Sequence, residues 1–170
     1  VDTVIANAGV SRHGRSTELA EAELRQVFDT NLLGVHLTAN AAASAMMTAG
    51  SRESGAGRIV IIGSITAQLT GQGDAAYAAS KAGVAHLGRQ LAREWVRQGI
   101  NLNVVQPGYI RTELVGNWFD SEGGRAQIAS WHRRRIMNVD ALDDLVLYLA
   151  SDASAQITGS VFTVDDGQSL

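Results

Sequence analysis

The sequence predicts a doubly wound α/β domain with a parallel sheet, on three observations: short β-branched runs alternate with longer amphipathic segments, the strand-like runs come singly rather than in hairpins, and each is followed at once by a turn signal. The first strand is read over Val1 to Ala6, an apolar, β-branched stretch that ends at Asn7-Ala8-Gly9. Helical periodicity follows over Glu21 to Asn31 and Leu33 to Ala49, and Ser51 to Gly57 reads as a polar Gly/Ser loop. The second strand, Arg58 to Ile62, ends at Gly63-Ser64, and the longest helix pattern runs from Ala76 to Gln98. Asn101 to Val105 supplies a third strand, ending at Gln106-Pro107-Gly108. Gly116 to Gly124 is read as a mobile stretch, Ala141 to Ser151 as a last helix, and Val161 to Val164 as a fourth strand before Asp165-Asp166-Gly167. A Thr or Asp precedes two of the helices as an expected cap. Right-handed crossovers then place the strands' C-terminal ends together, so three of the four turns are expected to line one crevice.

Composition narrows the function classes. The 170 residues are 45% hydrophobic and 18% charged, with a formal net charge of -3 and mixed signs, which is ordinary globular chemistry with no basic field for nucleic acid. The absence of cysteine removes disulfide frameworks and thiolate metal sites, and fits a cytoplasmic protein. No apolar run approaches the roughly 20 residues of a membrane span. His13, His36, His86 and His132 lack ligand spacing and read as surface or loop residues, so no metal is assigned.

Tyr77-Ala78-Ala79-Ser80-Lys81 places a phenol and an ammonium one helical turn apart on one face. A phenol with an ordinary pKa near 10 is a poor base at neutral pH; a fixed, partly desolvated cation beside it would favour the phenolate. An isolated match of this kind is more often an exposed helix flank. Context adds weight, because Ser64 closes a strand thirteen positions before Tyr77. Asn7-Ala8-Gly9, Asn31, Ser64, Tyr77, Lys81 and the run Pro107-Gly108-Tyr109-Ile110-Arg111-Thr112 stand in the order and approximate spacing of one family. On these residues, with Ile157-Thr158-Gly159 and Val164-Asp165-Asp166-Gly167 near the end, the chain resembles the short-chain dehydrogenases/reductases, particularly their 3-oxoacyl-carrier-protein-reductase-like members.

The resemblance covers essentially all of the chain and implies a Rossmann-like sheet of which residues 1–170 form a single incomplete domain, strands four to seven of the family fold. It implies hydride exchange between NAD or NADP and a carbonyl or alcohol, with Tyr77 as general acid in reduction and base in oxidation. Ser64 is then expected to hold the substrate oxygen. Lys81 is expected to lower the pKa of Tyr77 and bond the nicotinamide ribose, and Asn31 to complete a water-linked proton relay. Asn7, Ala8 and Gly9 would approach the cofactor, with Gly9 leaving room for it. Pro107 and Gly108 would carry the chain past the nicotinamide, the Ile110 backbone and Thr112 hydroxyl bonding its carboxamide or a phosphate. Ala6 replaces the family's more usual first Asn, and Asp166 stands where a Gly is common, which puts the last turn's geometry in question.

The family's Gly-rich pyrophosphate turn has no counterpart here, so three strands, on the order of 80 residues, are expected upstream of Val1. The isolated chain is accordingly expected to be inactive and prone to aggregate at an open sheet edge. A substrate lid is expected over about 112–139, with Trp118, Phe119 and Trp131 facing an apolar substrate or packing on the core, and Arg133-Arg134-Arg135 meeting a carboxylate or phosphate or facing solvent. The Ala-rich helices suggest a homodimer or homotetramer. Two alternatives stand beside this reading: a nucleotide-sugar epimerase or dehydratase, which also uses Tyr-x-x-x-Lys, and a non-catalytic truncated module. Enoyl reductases space their Tyr and Lys more widely than the interval of four found here.

Overall fold

In the computed structural model, which describes residues 1–112 and 115–170, four parallel strands form one sheet in chain order. They are β1 (Thr3–Ala6), β2 (Gly57–Ile62), β3 (Ile100–Pro107) and β4 (Val161–Val164). The helices between them are α1 (Glu21–Phe28), α2 (Val35–Thr48), α3 (Ser51–Ser54), α4 (Ala75–Trp95), α5 (Glu122–Ser130) and α6 (Asp143–Leu149).

Alternation along the strands sends side chains to opposite faces, and each face has its own core. Ile59, Ile61, Leu102 and Val104 pack against Ala39 and Met46 of α2 and Val84 and Leu91 of α4. Val60 and Val105 point the other way, to Leu149 of α6, with Ile157 and Phe162 closing that layer. In β3 Asn103 and Gln106 are buried among the apolar residues, while burial on both faces is why β2 is a nearly continuous apolar run. The exception, Arg58, is 3% exposed yet its guanidinium is satisfied by the carbonyls of Gly55 and Gly57 at 2.7 and 2.9 Å and of Ser151 at 3.3 Å. Its ion-pair partner Asp152 is 97% exposed, so the carbonyl bonds, not the pair, hold the guanidinium.

The structure departs from the sequence expectation in four places. The polar stretch 51–57 contains α3, held where Ser51 Oγ donates to the Gln98 carbonyl at 2.7 Å. The stretch 116–124, read as mobile, is a short 3-10 turn at Trp118–Asp120 leading into α5, which Ser121 caps by accepting from Gly124 N–H. Side-chain caps were expected on two helices, but no N-cap side chain bonds the first turn of α1, α2, α4 or α6; at α1 the Glu23 carboxylate accepts from Ala20 N–H at 3.0 Å. Finally, a π-helical turn, Asp29–Gly34, joins α1 to α2 without a break. A π-turn inserts one residue into the helical repeat and rotates the turns after it. It carries Asn31 inward, to complete burial.

Among the described residues, no helix is long and apolar enough to cross a membrane.

Candidate active site

The turns after β1, β2 and β3 converge on one cavity of about 620 Å³ at the C-terminal ends of the strands. Asn7, Ala8, Gly9, Ser64, Tyr77, Lys81, Pro107, Gly108, Ile110 and Thr112, all singled out in the sequence, line it. The fourth turn, Asp165-Asp166-Gly167, stands outside it.

Ser64 follows β2 in an extended conformation, and its Oγ accepts from Thr66 N–H at 3.2 Å and from the Thr66 hydroxyl at 2.9 Å. Tyr77 and Lys81 occupy successive turns of α4, with Nζ 5.7 Å from the centre of the phenol ring. The ammonium donates to the Ile62 carbonyl at 2.9 Å, which ties the helix to the end of β2. With one ammonium hydrogen so used, two remain.

Asn31 does not line the cavity; it lies behind it. Its Oδ1 accepts from Val10 N–H at 2.8 Å, while Nδ2 donates to the Val10 carbonyl at 2.9 Å and to Ser80 Oγ at 3.1 Å. The amide thus clasps both backbone groups of Val10 and sets the path of the chain past Gly9. A Cβ on Gly9 would stand 3.5 Å from both Asn31 Oδ1 and Lys81 Nζ, so a glycine here keeps that hollow open.

The electrostatics differ from the sequence expectation. Burial raises the Tyr77 phenol above its ordinary value; the Ser64 hydroxyl opposes this, and the charges of Asp74 and Tyr109 add to it. Burial lowers Lys81 to about 8. The upward shift of Tyr77 arises because desolvation penalises the phenolate more than the Ser64 hydroxyl favours it.

Past β3, Gly108 lies so close to the last turn that a Cβ would meet Gln168 Oε1 at 2.5 Å and Asp165 Cα at 2.8 Å. Gln168 fixes the next residue by accepting from Tyr109 N–H at 2.6 Å and donating to the Tyr109 carbonyl at 3.2 Å. Ile110 makes an isolated parallel bridge to Met137.

The expected lid segment includes Glu113 and Leu114, which lie outside the described residues. Phe119 and Trp131 are buried and pack with Tyr109, whose ring stacks on Trp131 at 5.4 Å and meets the edge of Phe119 at 5.6 Å. Trp118 is exposed and donates from Nε1 to Gln127 Oε1 at 2.8 Å. Arg133 and Arg135 both bond Asp166, at 2.8 and 2.6 Å. Asp166 has φ +53°, so the turn keeps the left-handed geometry suited to glycine while adding a carboxylate that takes up these two arginines.

Sequence reasoning missed Ser11, His13, Asp74, Tyr109 and Leu142, which line the same cavity. Asp74, one turn before Tyr77, carried a usable signal; Ser11 and His13 reach the site through loop packing, which leaves none.

Comparison with known proteins gives a consistent result. A family model described as enoyl-(acyl carrier protein) reductase matches residues 1–169. The 3-oxoacyl-[acyl-carrier-protein] reductase of Escherichia coli (strain K12) is 34% identical over 169 residues, covering 98% of this chain and 66% of the relative. A short-chain type dehydrogenase/reductase from Mycobacterium marinum superimposes with a TM-score of 0.89 at 35% identity, over 99% of this chain and 65% of the other. A gluconate 5-dehydrogenase from Burkholderia cenocepacia J2315, solved with NADP and tartrate, gives 0.92 at 30% identity, with the same coverage of 99% and 65%. The chain spans about two-thirds of the length of these proteins.

Proposed function

This chain belongs to the short-chain dehydrogenase/reductase family, and from that premise we propose that the protein it is part of is a nicotinamide-dependent oxidoreductase acting on a carbonyl or alcohol, with Tyr77 as its general acid and base. The observation that carries this reading is the meeting of Ser64, Tyr77 and Lys81 in one cavity with the Asn7-Ala8-Gly9 and Pro107-Gly108 turns.

The cavity suits the nicotinamide-ribose half of NAD or NADP: the hollow at Gly9 is one a Cβ would fill, and Lys81 has two ammonium hydrogens to offer ribose hydroxyls beside it. When bound, that group accepts or supplies the hydride equivalent. In this reading Ile110 and Thr112 meet the carboxamide or a phosphate, and Asn7, Ala8, Pro107 and Gly108 provide close backbone approach.

In reduction, Ser64 Oγ donates to the substrate carbonyl oxygen and Tyr77 delivers the proton to it. A phenol held above its ordinary pKa is protonated throughout the physiological range, which suits the acid role. In oxidation the tyrosine acts as the phenolate, having first released its proton to solvent, and Lys81 is the cation placed to support that form. Asn31 contributes to the proton path by fixing Val10 and Gly9 beside Lys81.

The family model's description names enoyl reduction, but the interval of four between Tyr77 and Lys81 favours carbonyl chemistry. The relatives' names support the same class: one reduces a 3-oxoacyl carrier protein, another is a gluconate dehydrogenase. Self-association belongs to the proposal, carried by Phe28, Leu33 and Leu37, which are exposed along the α1–α2 junction.

The test is turnover of carbonyl and alcohol panels by the full-length protein with each nicotinamide cofactor. Tyr77→Phe is expected to lower turnover by roughly 10²- to 10⁴-fold while leaving cofactor binding near wild type. Full activity in that variant would reject the assignment.

A further inference from the structure

Ser64, Tyr77 and Lys81 account for the floor of the cavity; its mouth is built from two loops that those roles leave unexplained. The loop after Gly9 docks on the loop before α4 where Gly14 N–H donates to the Gly73 carbonyl at 3.1 Å. Across that contact Ser11 Oγ donates to Asp74 Oδ1 at 3.4 Å, and His13 Nδ1 lies 3.3 Å from the same oxygen. All three side chains line the cavity with Tyr77. Asp74 is 17% exposed and His13 71%, so the carboxylate is recessed and the imidazole stands at the rim.

Asp74 precedes Tyr77 by one helical turn, and its charge raises the phenols of both Tyr77 and Tyr109. A ligand bonded to Tyr77 is therefore within reach of Asp74. Both Asp74 contacts fall on Oδ1; Oδ2 has no partner among the described residues and is not sealed from solvent. A carboxylate oxygen in that position accepts from a hydroxyl and repels an anionic group.

The cavity offers little to offset that repulsion. Among its described lining residues Asp74 is the only carboxylate and Lys81 the only Lys or Arg, and Lys81 is bound to the Ile62 carbonyl at the floor. Arg133 and Arg135 are held by Asp166, and Phe119 and Trp131 are packed around Tyr109. The arrangement forms neither an anion clamp nor an aromatic slot.

We propose that Ser11, His13 and Asp74 form a specificity wall that selects an uncharged polyhydroxylated substrate, a polyol or the corresponding hydroxyketone, with Asp74 Oδ2 accepting from a substrate hydroxyl near the reacting carbon. The proposal rests on the oxidoreductase reading above. In oxidation the secondary alcohol carbon gives its hydride to the oxidised nicotinamide and its hydroxyl proton to the Tyr77 phenolate, formed beforehand by loss of the phenol proton to solvent, leaving the ketone. Asp74 and His13 take no part in that balance; they set which alcohol is held.

The experiment measures oxidation of glucitol, cyclohexanol and 3-hydroxybutyrate by the full-length protein with NAD⁺ and NADP⁺. Glucitol is expected to show the highest kcat/KM. Asp74→Asn is expected to lower the glucitol-to-cyclohexanol ratio of kcat/KM by about 10- to 100-fold, mainly through KM, the range for losing a hydrogen bond to a charged group. His13→Ala lowers it less, and carries the test if Asp74→Asn fails to fold. Preference for cyclohexanol or 3-hydroxybutyrate, or an unchanged ratio in the folded variants, overturns the wall while leaving the oxidoreductase reading standing. Oxidation of none of the three with either cofactor, alongside an equally inactive carbonyl panel, overturns that reading and this proposal with it.

Discussion

Lys81 and Tyr77 share one face of α4, 5.7 Å from ammonium to ring centre, yet the hydrogen bond of the ammonium goes to the Ile62 carbonyl. The lysine is therefore fixed to the sheet rather than to the tyrosine, and it remains charged at neutral pH despite burial. The sign of the consequence follows from its folded pKa of about 8 against an ordinary 10.5. A base whose pKa falls on folding destabilises the native state while it is charged, fully below about pH 8, with relief as pH rises towards 10.5. That difference corresponds to roughly 3 kcal/mol.

Lys81→Met is thus expected to be more stable than the parent at pH 7, by about 1–2 kcal/mol after allowing for the lost bond to Ile62, with the gain narrowing towards pH 10. Thermal melts at the two pH values check this. The same variant is expected to lose turnover.

The pH profile of reduction gives a separate expectation. Because Tyr77 is held above its ordinary value, the alkaline limb of kcat/KM belongs to Lys81 and falls as pH rises through about 8. Lys81→Arg should move that limb upwards in whatever activity it retains; a limb left at the same pH would assign it to another group.

Asp166 joins the last turn to the segment bearing Arg133 and Arg135, both arginines being more than half exposed. Exposed pairs contribute little to stability, and the left-handed backbone at Asp166 favours glycine. Asp166→Gly is expected to leave the melting temperature nearly unchanged, yet to speed tryptic cleavage at 133–135 several-fold because the segment loses its anchor. The arginines hold the Asp166 carboxyl below the usual carboxylate range, so the clamp is complete above about pH 4 and is lost as pH falls through its lowered value. Unchanged proteolysis would show that the Tyr109, Phe119 and Trp131 cluster alone holds the segment.

Gly108→Ala is expected to cost about 1–3 kcal/mol, since the new methyl meets Gln168 Oε1 and Asp165 Cα and the turn must open. Cofactor affinity should fall with it, read by fluorescence titration, because Pro107 and Ile110 move with that turn.

Leu37 projects into solvent from α2, near Leu33 and Phe28. Leu37→Glu in the full-length protein is expected to reduce its assembly, seen as a lower mass by light scattering, without loss of helicity. An unchanged mass would move the interface elsewhere.

The sequence by itself determined the parallel α/β plan, the strand centres, and the turns after β1, β2 and β3 that meet at one cavity. Side-chain period fixes which face of a strand or helix is buried, and a turn placed directly after a parallel strand must open at the same end of the sheet. Tyr77 and Lys81 were legible because four residues of helix bring them to one face whatever surrounds them. The tertiary structure alone decided the rest. A π-turn carries Asn31 inward to hold Val10, the 11–14 and 73–74 loops meet to set His13 and Ser11 against Asp74, and Asp166 takes Arg133 and Arg135, which the sequence left open between a ligand and solvent. Each of these joins segments 21 to 63 residues apart, and local period says nothing about which partner a loop side chain meets at that separation. The choice is made by packing, which also decided the direction in which the Tyr77 phenol shifts, since burial raises it.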